Sequence, residues 1–125
     1  MILIVEDDAG ARQAIGRYVS TVFPAARVVT TESGESALAL ADRLTPRVVL
    51  LDLGLGGMQG FEFARRFRQR PRSETTAIVA LTGDTSAATL VRAAEAGFAA
   101  FLRKPDDIER LETVLRPFVD DARSA

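Results

Sequence analysis

The chain contains no cysteine. That excludes disulfides and thiolate metal sites, and it is compatible with a reducing compartment. Histidine is absent as well, which removes the usual zinc ligand, the usual general base and any histidine phosphoacceptor. No charge of one sign dominates: 16 basic residues stand against 17 acidic ones, for a net charge of −1. Such a balance leaves no electrostatic footprint for nucleic acid or for an anionic membrane. No apolar run approaches the roughly 20 residues of a membrane span. The apolar start, Met1 to Val5, stops at Glu6-Asp7-Asp8, too soon and without the basic flank of a signal peptide. We therefore expect a cytoplasmic protein, or a cytoplasmic piece of a larger one. Its chemistry must use carboxylates, hydroxyls, lysine and backbone.

What is present suits one domain over residues 1–125. The chain has 125 residues, 47% of them apolar, enough to bury a core without staples. Short apolar runs alternate with amphipathic stretches. Ile2-Leu3-Ile4-Val5 reads as a strand, and Ala9 to Ser20 as a helix carrying Ile15 and Val19 at helical spacing, with Val22 beyond. Asp8 suits its cap, and Phe23-Pro24-Ala25 breaks it. Arg27 to Thr31 is β-branched and predicts a second strand. Ser33 caps a helix bearing Ala37, Leu38, Leu40, Ala41 and Leu44, which Pro46 ends.

Val48-Val49-Leu50-Leu51-Asp52 is the strongest strand signal, apolar on both faces as a central parallel strand must be. Glycines between Gly54 and Gly60 mark a loop, and Phe61, Ala64 and Phe67 mark a third helix. Gln69 to Thr76 reads as loop, and Ala77 to Thr82 as a fourth strand. Gly83-Asp84-Thr85 turns into a helix from Ser86 to Ala96, closed by Gly97. Ala99 to Leu102 is a short fifth strand. The last helix carries Ile108, Leu111, Val114, Leu115 and Phe118, with Pro117 predicting a kink or an early end and Asp120 to Ala125 a frayed tail. Strand and helix thus alternate five times, the pattern of an α/β fold with a parallel sheet covered on both faces.

Ligands of an open parallel sheet bind beyond the carboxyl ends of its strands. There the chain places Glu6, Asp7 and Asp8 after strand one, Asp52 closing strand three, Thr82 closing strand four and Lys104-Pro105 after strand five. Thr31-Glu32 after strand two fits an edge position. Carboxylates brought together repel unless a hard cation bridges them, and Mg²⁺ prefers such oxygen ligands. Mg²⁺, the Thr82 hydroxyl and the Lys104 ammonium could hold the oxygens of a phosphoryl group, with Asp52 as nucleophile.

Taken singly, each residue has a plain alternative. Acids after a strand commonly sit in a solvated turn or at a helix N-terminus. A lone strand-end threonine, a solvated lysine or a core phenylalanine at position 101 would be ordinary. Arginines 65, 66, 68, 70 and 72 read as the solvated face of helix three and its exit rather than as a docking patch for an acidic partner. Three other functions are testable against the same residues. A haloacid-dehalogenase-like phosphatase would need a second aspartate two residues after the nucleophile, where Gly54 stands. A dinucleotide-binding domain would need a glycine turn after strand one, where acids stand. A pure interaction module of the same fold that takes no phosphate would lack Asp52, Lys104 or an acid at position 7; all are present.

Glu6-Asp7, the run from Asp52 to Gly60, Leu81-Thr82-Gly83 and Phe101-Leu102-Arg103-Lys104-Pro105 together resemble response-regulator receivers, with similar separations, over the whole chain. The resemblance implies a flavodoxin-like doubly wound (βα)5 fold with strand order 2-1-3-4-5. It implies that Asp52 is the phosphoacceptor and that Asp7, Asp52 and the backbone carbonyl of Gly54 hold Mg²⁺, with Glu6 acting through water. Thr82 would be the switch hydroxyl, Phe101 the switch aromatic and Lys104 the phosphate's ion-pair partner, in a cis Lys104–Pro105 peptide. The donor would be a histidine kinase or a histidine phosphotransfer protein, the output surface helix four, strand five and helix five, and the assembly a monomer or weak homodimer. No enzymatic turnover, direct nucleic-acid contact or membrane contact is implied. Gly56 and Gln59 depart from the proline and aspartate usual in this loop, and Phe101 from the common tyrosine. Asp52-Leu-Gly-Leu, Ala80-Leu-Thr-Gly-Asp and Glu95-Ala-Gly-Phe resemble most the C-terminal receivers of hybrid histidine kinases.

Overall fold

The computed structural model describes residues 1–54, 60–83, 86–104 and 108–124, with the backbone alone at 108 and 120–124. The glycine-loop departures at Gly56 and Gln59, the Asp84-Thr85 turn and the Lys104–Pro105 peptide lie outside the described residues. The elements follow one another as β1 (Ile2–Val5), α1 (Ala9–Val22), β2 (Val28–Thr31), α2 (Gly34–Ala41), β3 (Val48–Asp52), α3 (Gly60–Arg68), β4 (Ala77–Thr82), α4 (Ala87–Glu95), β5 (Ala100–Arg103) and α5 (Leu111–Ser124). All strand pairs are parallel, in the order β2-β1-β3-β4-β5. This is the flavodoxin-like arrangement expected, with β2 at an edge.

Alternation along the strands sorts the core into two layers. Ile2, Ile4, Val48, Leu50 and Leu102 face Ile15, Val19, Leu111 and Leu115 of α1 and α5. Leu3, Val5, Val49 and Leu51 face Ala37 of α2 and Phe63, Ala64 and Phe67 of α3. Every residue of β1 and β3 is buried, which is why both are apolar throughout, save for Asp52 at the end of β3.

Local chemistry sets the helix ends. The Asp8 carboxylate accepts the Ala11 N–H at 2.7 Å, and the Ser33 hydroxyl accepts the Ser36 N–H at 3.1 Å. Gly97, at φ +78°, closes α4: its N–H reaches the Ala94 carbonyl while the Phe98 N–H reaches Ala93. That paired bonding needs a left-handed residue, which glycine supplies without steric cost.

Four details differ from the sequence reading. The α1 helix runs one turn fraction further, to Val22. A 3-10 turn at Ser73–Thr75 interrupts the segment read as loop. The core face of α3 is Phe63, Ala64 and Phe67, while Phe61 is only half-buried. The α5 helix passes through Pro117 and continues to Ser124. A proline removes one N–H bond, but Leu111, Leu115 and Val119 lie buried on one face along this helix and hold it on the sheet.

Candidate functional site

The sheet alternation brings the acids together. Glu6 continues the row of Ile2 and Ile4, Asp52 that of Val48 and Leu50, and Lys104 that of Leu102. All three rows point to the α1–α5 side, so their ends converge at the carboxyl edge. Ladder bonds extend past the strands and fix that edge: the Glu6 N–H donates to Thr31 O at 3.0 Å, Leu53 N–H to Leu81 O at 2.9 Å and Lys104 N–H to Thr82 O at 2.9 Å.

Each of Glu6, Asp7 and Asp52 offers a carboxylate oxygen within 4.8 Å of the others. Asp7 is exposed, whereas Asp52 is buried and Glu6 fully so. The Lys104 ammonium donates to Glu6 Oε1 and lies 3.5 Å from Asp52 Oδ2. The other Asp52 oxygen, Oδ1, accepts the Gly54 N–H at 3.0 Å. Glu6 Oε2 is buried with no hydrogen-bond partner among the described residues.

These contacts set the protonation of the cluster. Burial pushes the Glu6 carboxyl up, and the neighbouring Asp52 pushes it further, to about 7 against the pull of Lys104. Burial also works against the Asp52 carboxylate, but Glu6, the Gly54 N–H and Lys104 outweigh it and hold that pKa below the usual aspartate range. For Lys104, burial favours the neutral amine; its bond to Glu6 and the charge of Asp52 overcome this and raise its pKa.

A divalent cation fits this donor set. It is built of hard oxygens with neither sulfur nor imidazole, the chemistry Mg²⁺ selects. An orphaned buried carboxylate oxygen costs free energy until a cation or donor meets it. A divalent ion would bring positive charge to these three clustered carboxylates.

An open cleft of about 320 Å³ leads to Asp52. Its walls are Asp52, Leu53, Gly54, Thr82 and Gly83 from the strand ends, Phe61 from α3, and Thr89 and Arg92 from α4. Thus Asp52, Thr82 and Gly54 share one cavity, and Lys104, Glu6 and Asp7 adjoin Asp52. Phe101 stands apart from this cleft on β5, 40% exposed rather than in the core. Arg92 and Phe61 had no functional reading from sequence. The Arg92 guanidinium lies 4.0 Å from the centroid of the Phe61 ring, which in turn stacks on Phe98 at 5.6 Å. Helical spacing alone could not single them out: their approach is made by the packing of α3 against α4.

Residues 2–116 match the family described as response regulator receiver domain. Protein-glutamate methylesterase/protein-glutamine glutaminase 2 of Cereibacter sphaeroides is 42% identical over 105 residues, which are 83% of this chain and 28% of that protein. The chain therefore spans little more than a quarter of that relative's length. The signal receiver domain of a DNA-binding response regulator (merR) of Colwellia psychrerythraea superposes with a TM-score of 0.88 at 28% identity, covering 95% of this chain and 97% of that one. The receiver domain of the sensor histidine kinase PA1611 of Pseudomonas aeruginosa, solved with magnesium in its active-site cleft, shares the fold at a TM-score of 0.84 and 24% identity, covering 95% and 96% of the two chains. With its sheet order, its acidic edge and this match over most of its length, the chain belongs to the response regulator receiver domain family.

Proposed function

We propose that this receiver is a phosphoacceptor switch of a two-component system, in which Asp52 takes a phosphoryl group from a phosphohistidine. The observation that carries the reading is the Asp52 carboxylate itself. It ends an enclosed strand, opens into a cleft shared with Thr82, and lies 3.5 Å from the Lys104 ammonium and beside two further acids. Asp7, Asp52 and the Gly54 carbonyl would hold Mg²⁺, with Glu6 beside them; the magnesium in the PA1611 cleft supports that choice of ion. When bound, the ion supplies positive charge against the three phosphoryl oxygens.

The chain's own residues do the rest. An Asp52 oxygen attacks phosphorus, the P–N bond of the donor breaks, and the electron pair leaves with the imidazole nitrogen. The depressed pKa of Asp52 keeps that oxygen ionised and ready. Lys104 pairs with a phosphoryl oxygen, and the Thr82 hydroxyl donates to another. The donor is a histidine kinase or a phosphotransfer protein, since this chain has no histidine. Movement of Thr82 would draw Phe101 inward from its exposed position and alter the α4–β5–α5 surface. The cytoplasm is the compartment such a donor requires.

Intact mass after incubation with acetyl phosphate and Mg²⁺ tests this. We expect the mass of one phosphoryl group to be added to the wild-type chain and none to Asp52→Asn. Phosphoryl uptake by Asp52→Asn would move the nucleophile elsewhere. Turnover of a phosphomonoester is not expected.

A further inference from the structure

We infer that Arg92 is a second cation for the phosphoryl group, and that it leaves the Phe61 ring to reach it. This rests on Asp52 being the phosphoacceptor. Lys104 approaches Asp52 from the β5 side. Arg92 lines the cleft that leads to Asp52, from α4, one turn after Thr89. Among the described residues its side chain has no ion pair and no hydrogen bond; its one contact of charge is the face of Phe61. Phe61 is itself a wall of the cleft and is held by stacking on Phe98. The guanidinium is thus parked at the rim on a fixed aromatic plate, and no ion pair among the described residues keeps it there.

Phosphorylation changes the balance at that rim. It places a dianionic group with several acceptor oxygens in the cleft. A guanidinium over a ring at an exposed site is held weakly, while its charge-assisted bonds to phosphoryl oxygens are among the stronger polar contacts. Arginine also presents a planar fork suited to two phosphoryl oxygens at once. The exchange would carry the phosphorylation signal to the α3–α4 face, because Phe61 then loses its cationic cover. A second cleft of about 460 Å³ opens on that face, between Arg65 and Arg68 of α3 and Glu95 of α4, and it shares Phe61 and Arg92 with the first.

Three variants and one spectrum test this. Arg92→Met keeps the side-chain stem on Phe61 and removes the charge; Arg92→Lys keeps a charge; Asp52→Asn reports on the acceptor. With acetyl phosphate below saturation and Mg²⁺, Arg92→Met is expected to take up phosphate about tenfold more slowly, and Arg92→Lys to recover part of the loss. In ¹H–¹⁵N spectra, the Arg92 Nε–H signal, assigned by its absence in Arg92→Lys, is expected to leave its ring-shifted position on phosphorylation. Wild-type uptake by Arg92→Met together with an unmoved Nε–H signal would overturn the inference and leave Asp52 standing. Failure of the wild-type chain to take up phosphate would remove the acceptor itself, and Arg92's role with it.

Discussion

At the residue scale, Glu6 is fully buried and bound to Lys104 through one oxygen, and its other oxygen meets no hydrogen-bond partner among the described residues. Its raised pKa makes a pH prediction for the metal-free protein. The folded chain keeps the Glu6 proton up to about pH 7, whereas the unfolded chain releases it near 4.5. Between those values the native state binds more protons, so stability falls as pH rises through that window. Asp52 works in the opposite sense: its lowered pKa contributes stability above about 3.8, lost as pH falls through the folded value. Thermal melts from pH 4.5 to 7 without divalent ions should therefore show a declining Tm, and Glu6→Gln should flatten that slope. A Tm that rises across the window would contradict the arrangement.

At the scale of the element, Gly60 ties α3 to the acceptor strand. A β-carbon there would lie 2.8 Å from the Leu53 α-carbon and 2.9 Å from the Asp52 carbonyl oxygen. Both are backbone atoms that cannot swing aside. Gly60→Ala should cost about 1–3 kcal/mol in urea unfolding, and should slow phosphoryl uptake because the strand end must shift. Ser33→Ala is the contrasting case. It removes the cap of α2, at about 1 kcal/mol, and belongs neither to the acidic cluster nor to the walls of the Asp52 cleft; uptake should be unchanged while Tm drops.

Elements were also where the sequence was most and least informative. The bounds of β1, β3 and β4 follow from unbroken apolar runs stopped by acids, glycine or threonine, and the caps at Asp8 and Ser33 from side chains that satisfy free N–H groups. The meeting of Glu6, Asp52 and Lys104 was legible because strand ends in a parallel sheet gather at one edge. Phe61 and Phe63 were harder, since both fall within reach of helical spacing and only the seating of α3 decides which faces the sheet. Of the kink or early end that Pro117 suggested, the early end does not occur, because burial of Leu115 and Val119 sustains the helix beyond it. Arg92 carried no local signal at all: its significance depends on a cleft formed by the ends of β3 and β4 together with α3 and α4.

At the scale of the whole molecule, the crowded acidic edge makes stability depend on solution ions. A cation that binds the native state alone stabilises it by mass action, about 2.7 kcal/mol at a hundredfold excess over Kd. Millimolar Mg²⁺ should raise Tm, and chelation should return it. Asp7→Asn should blunt the rise, because it removes the exposed carboxylate of the cluster. A Tm indifferent to Mg²⁺ in the wild-type chain would argue against the ion.

The enclosure of β3 has a consequence for how such a protein can evolve. The four positions that precede Asp52 are wholly enclosed, so the scaffold beneath the acceptor is closed to tinkering, and new specificities must be written in the helices and loops around it. Lineages sharing this anvil can diverge in whom they listen to and whom they address while the hammer always falls on the same spot.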